Sequence, residues 1–393
     1  MRDQGIGEGQ GPPDSFTGPF YSLVHGRGAL PGRHPHYLAS IALCMGEVLN
    51  MEQMDRAEGA ILGQAVGDML GVPFEFANHT FTSLEGAELK GGGLGNYAPG
   101  EWSDDTQMML YIAQVSANGS DLTSGDCLDQ IAAGFLSWYT DGVFTDIGNQ
   151  TRVLLAELAG DDGLPGLSAR MRQAAFDLHA RTGRTAGNGA LMRNAIIGLT
   201  RLGDPLATAA SARAVAELTH ADPLAAESCI IHAEIIRRSV LGRGWVIEDI
   251  VDLLAEDRRG FWIEALAMGD ESVSSSRERF LASPTNPDDG FTVITLTKAL
   301  VALAHGLRSQ TPMTTTISTA IAMSNDTDTV AAVAGSLVGA HLGASAIATN
   351  WVAALNGLPV DPATGARLTA DDLRTLARAT AVNGLADSRT SDH

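Results

Sequence analysis

The chain has 393 residues, of which 45% are hydrophobic, and its formal net charge is −20. This length and hydrophobic content suffice for a large buried core, whereas the negative charge argues against general binding to nucleic acid or anionic membranes, since both need clustered Lys and Arg. Three isolated cysteines, Cys44, Cys127 and Cys229, favour buried thiols in a reducing cytosol over a disulfide framework or a metal cluster.

The first part of the chain does not predict an ordered domain. Residues 1–54 open with segments rich in Gly, Pro and His that lack sustained periodicity, which indicates a disordered N-terminal extension. The segment also lacks the charged, apolar and cleavage regions of a signal peptide, and no apolar run in the chain reaches the ~18 residues needed to span a bilayer. We therefore expect a cytoplasmic protein without membrane or nucleic-acid partners.

Helical patterns alternate with Gly-containing loops over residues 55–376, which predicts an all-α single domain, with a monomer as the expected state. Only the short run 291–294 shows alternation typical of a strand, residues 269–290 predict a surface loop, and residues 377–393 predict a flexible tail. The predicted helices cover residues 57–70, 106–115, 127–139, 151–159, 190–202, 205–218, 223–241, 245–254, 293–307, 315–323, 330–342 and 345–355.

An upstream acidic cluster lies at the start of one predicted helix. An irregular Gly-containing segment leads into Ser103, Asp104 and Asp105, and the helix over 106–115 follows. Adjacent ionised carboxylates repel each other where water is scarce, and a bound cation removes that cost. Alternatively, both carboxylates could be solvated and simply cap the helix.

A downstream acidic cluster matches the upstream one. Asp326, Asp328 and Thr329 precede an apolar helix in which Gly335 and Gly339, four apart, predict a close helix crossing. A simpler alternative is that Asp328 or Thr329 only caps this helix, but one cap does not need two acids. Because neither cluster contains Cys or His, the matched pair favours a hard cation, Mg²⁺ or Mn²⁺, over zinc.

Further candidates lie in loops, and each has a plainer alternative. The GNG turn at 187–189 enters a predicted helix and could bind a diphosphate through its N–H groups, or could be a tight turn. His220 could contact a phosphate or ribose, or simply end a helix. Glu75 lies in an apolar setting and could be an acid with a shifted pKa. Asp146 lies in a loop and could bind the leaving group. Either residue could instead be an ordinary solvated acid. Arg193 could support an anion or pair on the surface.

Seven segments, from Gly59 to Gly343, carry a resemblance that covers most of the chain. In order they read GAILGQAVGDMLGVPFEF, GGGLGNYAPGEWSDDTQM, DIGNQTR, GNGALMRN, THADP, GFTVITLTKAL and NDTDTVAAVAGSLVGAHLG. Together they resemble the ADP-ribosylglycohydrolase family. Ser103 stands where the family usually has Thr, and Ser324 where it commonly has Gly, and neither change removes a carboxylate.

The resemblance implies an orthogonal helical bundle with a central dinuclear cleft that holds two Mg²⁺ ions, or Mn²⁺. It assigns the metal ligands to Ser103, Asp104, Asp105, Asp326, Asp328 and Thr329. Substrate binding is expected at Gly148, Gly187, Asn188, Gly189 and His220. Glu75 and Asp146 are the expected catalytic acids, through proton transfer or binding of the leaving group.

The function implied is metal-dependent hydrolysis of the N- or O-glycosidic bond between ADP-ribose and an acceptor. The acceptor would be a protein side chain, such as arginine, or a small molecule. Two alternatives stay open, since a fold does not fix an activity. One is an ADP-ribose-binding protein without turnover, and the other is a metal-dependent phosphoanhydride hydrolase.

Overall fold

Helices form nearly all of the regular structure in this computed structural model, which describes residues 48–77, 88–142, 144, 146–161, 163–267, 290–360 and 364–386. The elements are α1 (Met51–Gly71), α2 (Asp104–Ser116), α3 (Gly125–Thr140), α4 (Asn149–Glu157), α5 (Leu167–Thr182), α6 (Pro205–Ala216), α7 (Pro223–Val240), α8 (Ile247–Val251), α9 (Glu256–Ala267), α10 (Thr292–Gly306), α11 (Pro312–Ala322), α12 (Thr327–Leu342), α13 (Thr349–Ala354), β1 (Asn356–Val360), β2 (Arg367–Thr369) and α14 (Ala370–Ala386). The predicted all-α fold is confirmed, with one small antiparallel pair, β1 and β2, in addition.

The closest helix contact in the bundle is between α1 and α12. A Cβ on Gly63 would lie 2.2 Å from the carbonyl oxygen of Gly335, and one on Gly59 would lie 2.3 Å from that of Gly339. Residues four apart share one face of a helix, so glycines at this spacing let the two backbones touch along a line. The close crossing predicted from Gly335 and Gly339 is confirmed, and it brings the end of α1 against the start of α12.

The ordered chain extends beyond the domain limits predicted from sequence. α1 begins at Met51, where Asn50 and Gln53 form a capping box, four residues before the predicted start. α14 continues to Ala386, and its residues Ala377 and Ala381 are fully buried. The sequence predicts a flexible tail from residue 377, but the small apolar side chains of Ala377 and Ala381 pack against the core. All described residues belong to one compact unit, Cys44–His393.

Several local predictions differ from the structure. The run 291–294 opens α10 instead of forming a strand, and the predicted helix 345–355 is divided into a 3₁₀ turn and α13. α5, α9 and α14 had no counterpart in the predictions. The loop predicted over 269–290 lies, except for Gly290, outside the described residues. Within the described part of the chain, no helix is both long and apolar enough to cross a membrane.

Candidate active site

The two acidic clusters, more than 200 residues apart in sequence, meet in the structure. Thr329 Oγ1 donates a hydrogen bond of 3.3 Å to Asp105 Oδ1. Ser103 Oγ donates one of 3.4 Å to Asp328 Oδ2. The start of α2 and the start of α12 therefore face each other, with their acids in one buried site.

Helix capping does not account for these acids. Neither Ser103 nor Asp326, the residues that precede α2 and α12, accepts a capping hydrogen bond through its side chain. Asp328 Oδ1 accepts the N–H of Thr329 at 2.9 Å, which occupies one of its oxygens. Capping by the side chains of Ser103 and Asp326 therefore does not explain why these acids stand at the two helix starts.

Asp68, on α1, belongs to this site and was missed in the sequence. Its Oδ1 accepts the N–H of Ser103 at 2.8 Å, and its Oδ2 accepts the N–H and the hydroxyl of Thr106 at 3.0 and 2.6 Å. Asp68 is fully buried and supplies the capping oxygens of α2 from another helix. The available signal was a single acid within the apolar, Gly-rich stretch of α1.

The carboxylate oxygens form two groups with spacings that suit a cation. One oxygen each from Asp68, Asp105 and Asp328 lie within 4.8 Å of one another, and so do oxygens from Glu75, Asp326 and Asp328. Asp105 Oδ2 and Glu75 Oε2 are buried without a hydrogen-bond partner among the described residues. Buried orphaned carboxylate oxygens are costly, and hard divalent cations bind such oxygens. The donor set therefore fits Mg²⁺ or Mn²⁺.

Burial and mutual repulsion raise the pKa of the acids here. Removal from water, then the nearby acids, raises the pKa of Asp105 and of Asp328 well above the usual range. The same causes raise the pKa of Asp104 to about 8 and that of Glu75 to about 9. Burial raises the pKa of Asp68 to about 6, although its hydrogen bonds oppose the shift. Positive charge brought to the site would reverse these shifts.

One cavity of about 490 Å³ connects the acids with the predicted substrate-binding residues. Asp104 lines this cavity but, among the described residues, belongs to neither group of closely spaced oxygens. Asp146 and Gly148 lie on its wall, and the charge of Asp146 is one cause of the raised pKa of Glu75. The two predicted catalytic acids therefore lie next to each other in the cavity, close enough for a hydrogen bond between their side chains.

The GNG loop lies beside the acids. Asn188 Nδ2 donates to Asp326 Oδ2 at 2.7 Å and to Thr295 Oγ1 at 3.0 Å. Gly187 and Gly189 close around His220, since a Cβ on either would lie 3.3 Å or less from the imidazole ring. A side chain at either position would crowd the imidazole, so the ring or the loop would have to shift by a few tenths of an ångström.

The prediction of a helix over 190–202, directly after this loop, is wrong. The segment forms 3₁₀ turns at Asn188–Ala190 and Ala195–Leu199, so no long helix follows the GNG loop. Tertiary bonds compete with the helix: the side chain of Asn194 donates to the carbonyl of Cys229 at 2.9 Å, and the backbone N–H of Asn188 to that of Gly290 at 2.9 Å.

Comparisons with known proteins show which family the chain is similar to. Residues 49–389 match the family model described as ADP-ribosylglycohydrolase. The chain is 29% identical to ADP-ribosylarginine hydrolase Tri1 of Pseudomonas putida, over 82% of this chain and 80% of that one. It is 26% identical to ADP-ribosyl-[dinitrogen reductase] glycohydrolase of Rhodospirillum rubrum, over 77% of this chain and 90% of the relative. A solved structure, titled ADP-ribosylglycohydrolase-related protein complex, superposes with a TM-score of 0.61 at 29% identity and covers 86% of this chain and 100% of that chain.

Proposed function

Since the chain belongs to the ADP-ribosylglycohydrolase family, we propose that it hydrolyses the glycosidic bond between ADP-ribose and an acceptor, with divalent cations held by its buried acids. The observation that carries this proposal is the convergence of two distant acidic segments, with the oxygens Asp105 Oδ2 and Glu75 Oε2 left without hydrogen-bond partners in the part of the chain that the structure describes. We infer arginine as the acceptor. A curated relative is named for ADP-ribosylarginine, and the Asp146 carboxylate in the cavity is suited to a guanidinium.

Asp105, Asp326 and Asp328 are the residues that we assign to cation binding, with Ser103, Asp104 and Thr329 around them. Asp68 holds the start of α2 in place through its three accepted hydrogen bonds. A divalent cation, when bound, supplies the positive charge that offsets these carboxylates and activates water at neutral pH.

Glu75 is the group that we assign to proton donation. Its oxygens lie next to those of Asp326 and Asp328, and in the metal-free protein burial and the neighbouring acids raise its pKa to about 9. In the proposed reaction the bond between C1″ of the distal ribose and the acceptor breaks, and a water oxygen bonds to C1″. The proton of Glu75 passes to the leaving group, and the proton lost by the water returns to the carboxylate. The surrounding negative charge favours the oxocarbenium-like transition state.

The test is a product analysis. The protein is incubated with peptides ADP-ribosylated on arginine or on serine, with Mg²⁺ or with EDTA, and the products are separated by chromatography and identified by mass. We expect intact ADP-ribose, released faster from arginine and only with the cation. AMP as the product would indicate a phosphoanhydride hydrolase instead, and no product from any peptide would indicate a binding protein.

A further inference from the structure

Arg193 is a buried cation for which the proposed reaction has no use. It is fully buried, and its guanidinium lies 4.3 Å from the centre of the Phe135 ring. Its Nη1 contacts Met108 Sδ at 3.3 Å, and its Nη2 donates to Thr219 Oγ1 at 2.6 Å. Within the described part of the chain no carboxylate forms an ion pair with it. Burial lowers its pKa to about 10, so it stays charged at neutral pH. A charge buried at such a cost suggests a function.

The hydroxyl of Thr219 connects Arg193 to His220. Thr219 is fully buried, and its Oγ1 lies 2.7 Å from Nδ1 of His220. A guanidinium can only donate, so Thr219 accepts from Arg193 and keeps one proton to donate. If His220 Nδ1 carried a proton instead, the Thr219 hydroxyl would accept twice and its own proton would lack an acceptor among the described residues. A buried donor without an acceptor is unfavourable.

We propose that Arg193 acts through Thr219 as a positioning residue that fixes His220 in the Nε2–H tautomer, so that His220 is a constant hydrogen-bond donor to the substrate. The ring is not a proton carrier in this arrangement. Burial and the charge of Arg193 lower its pKa to about 3, which leaves it neutral at any pH near 7.

The position of Nε2 identifies what it would bind. His220 lines the cavity, and Nε2 has no hydrogen-bond partner in the described ranges. Gly187 and Gly189 pack closely on this edge of the ring, since a Cβ on either would lie 3.3 or 3.2 Å from Nε2, so a side chain at either position would crowd Nε2. A neutral N–H donor suits a phosphate or ribose oxygen. This substrate assignment rests on the proposed function, whereas the tautomer is a property of the free protein.

The experiment is a long-range ¹⁵N–¹H correlation spectrum of the full chain labelled at histidine, with the His220 signals assigned from a His220→Gln variant. We expect His220 of the free protein to be protonated on Nε2 and not on Nδ1 at pH 7. Protonation on Nδ1 would overturn the proposal, whatever the activity of the protein.

Two variants of Thr219 test the connection to Arg193. Thr219→Val removes the hydroxyl at nearly constant shape, and we expect a mixture of tautomers and about tenfold weaker binding of ADP-ribose by calorimetry, the usual effect of one compromised hydrogen bond. Thr219→Ser keeps the hydroxyl and is expected to restore both the tautomer and the affinity. An unchanged Nε2–H tautomer in a folded Thr219→Val protein would contradict the proposal. Arg193→Met, which removes the donor to Thr219, is expected to mix the tautomers as well.

Discussion

Two sets of buried carboxylates in this molecule have opposite surroundings. Glu234, on α7, is 1% exposed and accepts hydrogen bonds of 2.6 and 2.8 Å from Arg237 and of 2.7 Å from Arg238. Asp105 and Asp328 are 1% and 3% exposed, and no Arg or Lys of the described residues forms an ion pair with either. The chemical group and the burial are the same, and only the counter-charge differs.

This difference distinguishes buried acids that stabilise the fold from buried acids that we expect to bind a cation. A buried carboxylate without a cationic partner is strongly unfavourable, so the fold normally provides one, as it does for Glu234. At the meeting point of α2 and α12, no cationic side chain among the described residues does so, and the pKa of Asp105 and Asp328 rises instead. The missing counter-charge is what a divalent cation would supply. An acid-to-amide substitution should therefore have opposite consequences in the two regions.

The largest expected effect is the loss of activity in Asp328→Asn. Asn has nearly the shape of Asp but no charge for a cation, so we expect kcat/KM for ADP-ribosylarginine to fall on the order of 10³-fold, without loss of fold. Release of ADP-ribose at saturating Mg²⁺ measures it. Asp177→Asn, an exposed acid on α5, is the matched control and should leave the rate unchanged. Full metal-dependent turnover by Asp328→Asn would disprove the assignment.

Glu234→Gln should have the opposite effect: we expect it to lower the stability of the fold and to leave the catalytic rate unchanged. The substitution leaves Arg237 buried without its carboxylate, so we expect the free energy of unfolding to fall by about 3–5 kcal/mol. Chemical denaturation measures this, and kcat of the folded protein should not change. Asp249→Asn removes a more exposed partner of Arg238, 3.2 Å away, and should cost less than about 1 kcal/mol. Equal losses in the two variants would contradict the comparison.

Gly335→Ala tests whether the α1–α12 contact holds the acids in place. The new Cβ would lie 2.1 Å from the carbonyl oxygen of Gly63, so the helices must separate, at a cost of about 1–3 kcal/mol. We also expect weaker binding of Mn²⁺, since α12 carries Asp328. The control is Gly260→Ala on α9, where the added Cβ meets nothing within 4 Å and helix propensity should raise stability by about 0.5–1 kcal/mol. Unchanged Mn²⁺ affinity in Gly335→Ala would mean that the α1–α12 contact does not hold the acids in place.

The smallest effect concerns pH and the metal-free protein. The folded-state pKa is about 8 for Asp104 and about 9 for Glu75, above the ordinary values of 3.8 and 4.5. Such groups contribute stability that is fully present below the ordinary pKa and is lost as pH rises toward the folded one. In EDTA we therefore expect the melting temperature to fall by several degrees between pH 5 and pH 9. Mg²⁺ should restore most of the loss at the alkaline end.

Asp104→Asn is the control for this pH dependence, because it removes one of the titrating groups. Its melting temperature in EDTA should depend less on pH than that of the wild-type protein. A melting temperature that rises with pH in the metal-free wild-type protein would mean that these acids ionise freely in the folded state.

Much of the site could be predicted because its acids stand at positions where simple helix physics does not need them. Asp104, Asp105, Asp326 and Asp328 are adjacent or alternate at helix starts, and the structure brings them together. Asp68 escaped notice because a lone acid inside a helix resembles an ordinary polar residue. Its partners are backbone N–H groups 35 and 38 residues away, and no local pattern reveals such a contact.

The errors in the fold have related physical reasons. The segment 190–202 has a helical pattern, but side-chain bonds from Asn194 to α7 and the packing of Gly189 on His220 override local propensity. α5 and α9 were missed because charged residues interrupt their apolar periodicity. The prediction that Arg193 pairs on the surface is wrong, because the residue is fully buried.

The central claim is that the convergent acids bind a divalent cation, and calorimetric titration of Mn²⁺ into the metal-free protein tests it most directly. We expect saturable binding by the wild-type protein that is lost or greatly weakened in Asp328→Asn and is unchanged in Glu234→Gln. Equal binding by the wild-type protein and Asp328→Asn, or no binding by the wild-type protein, would contradict it.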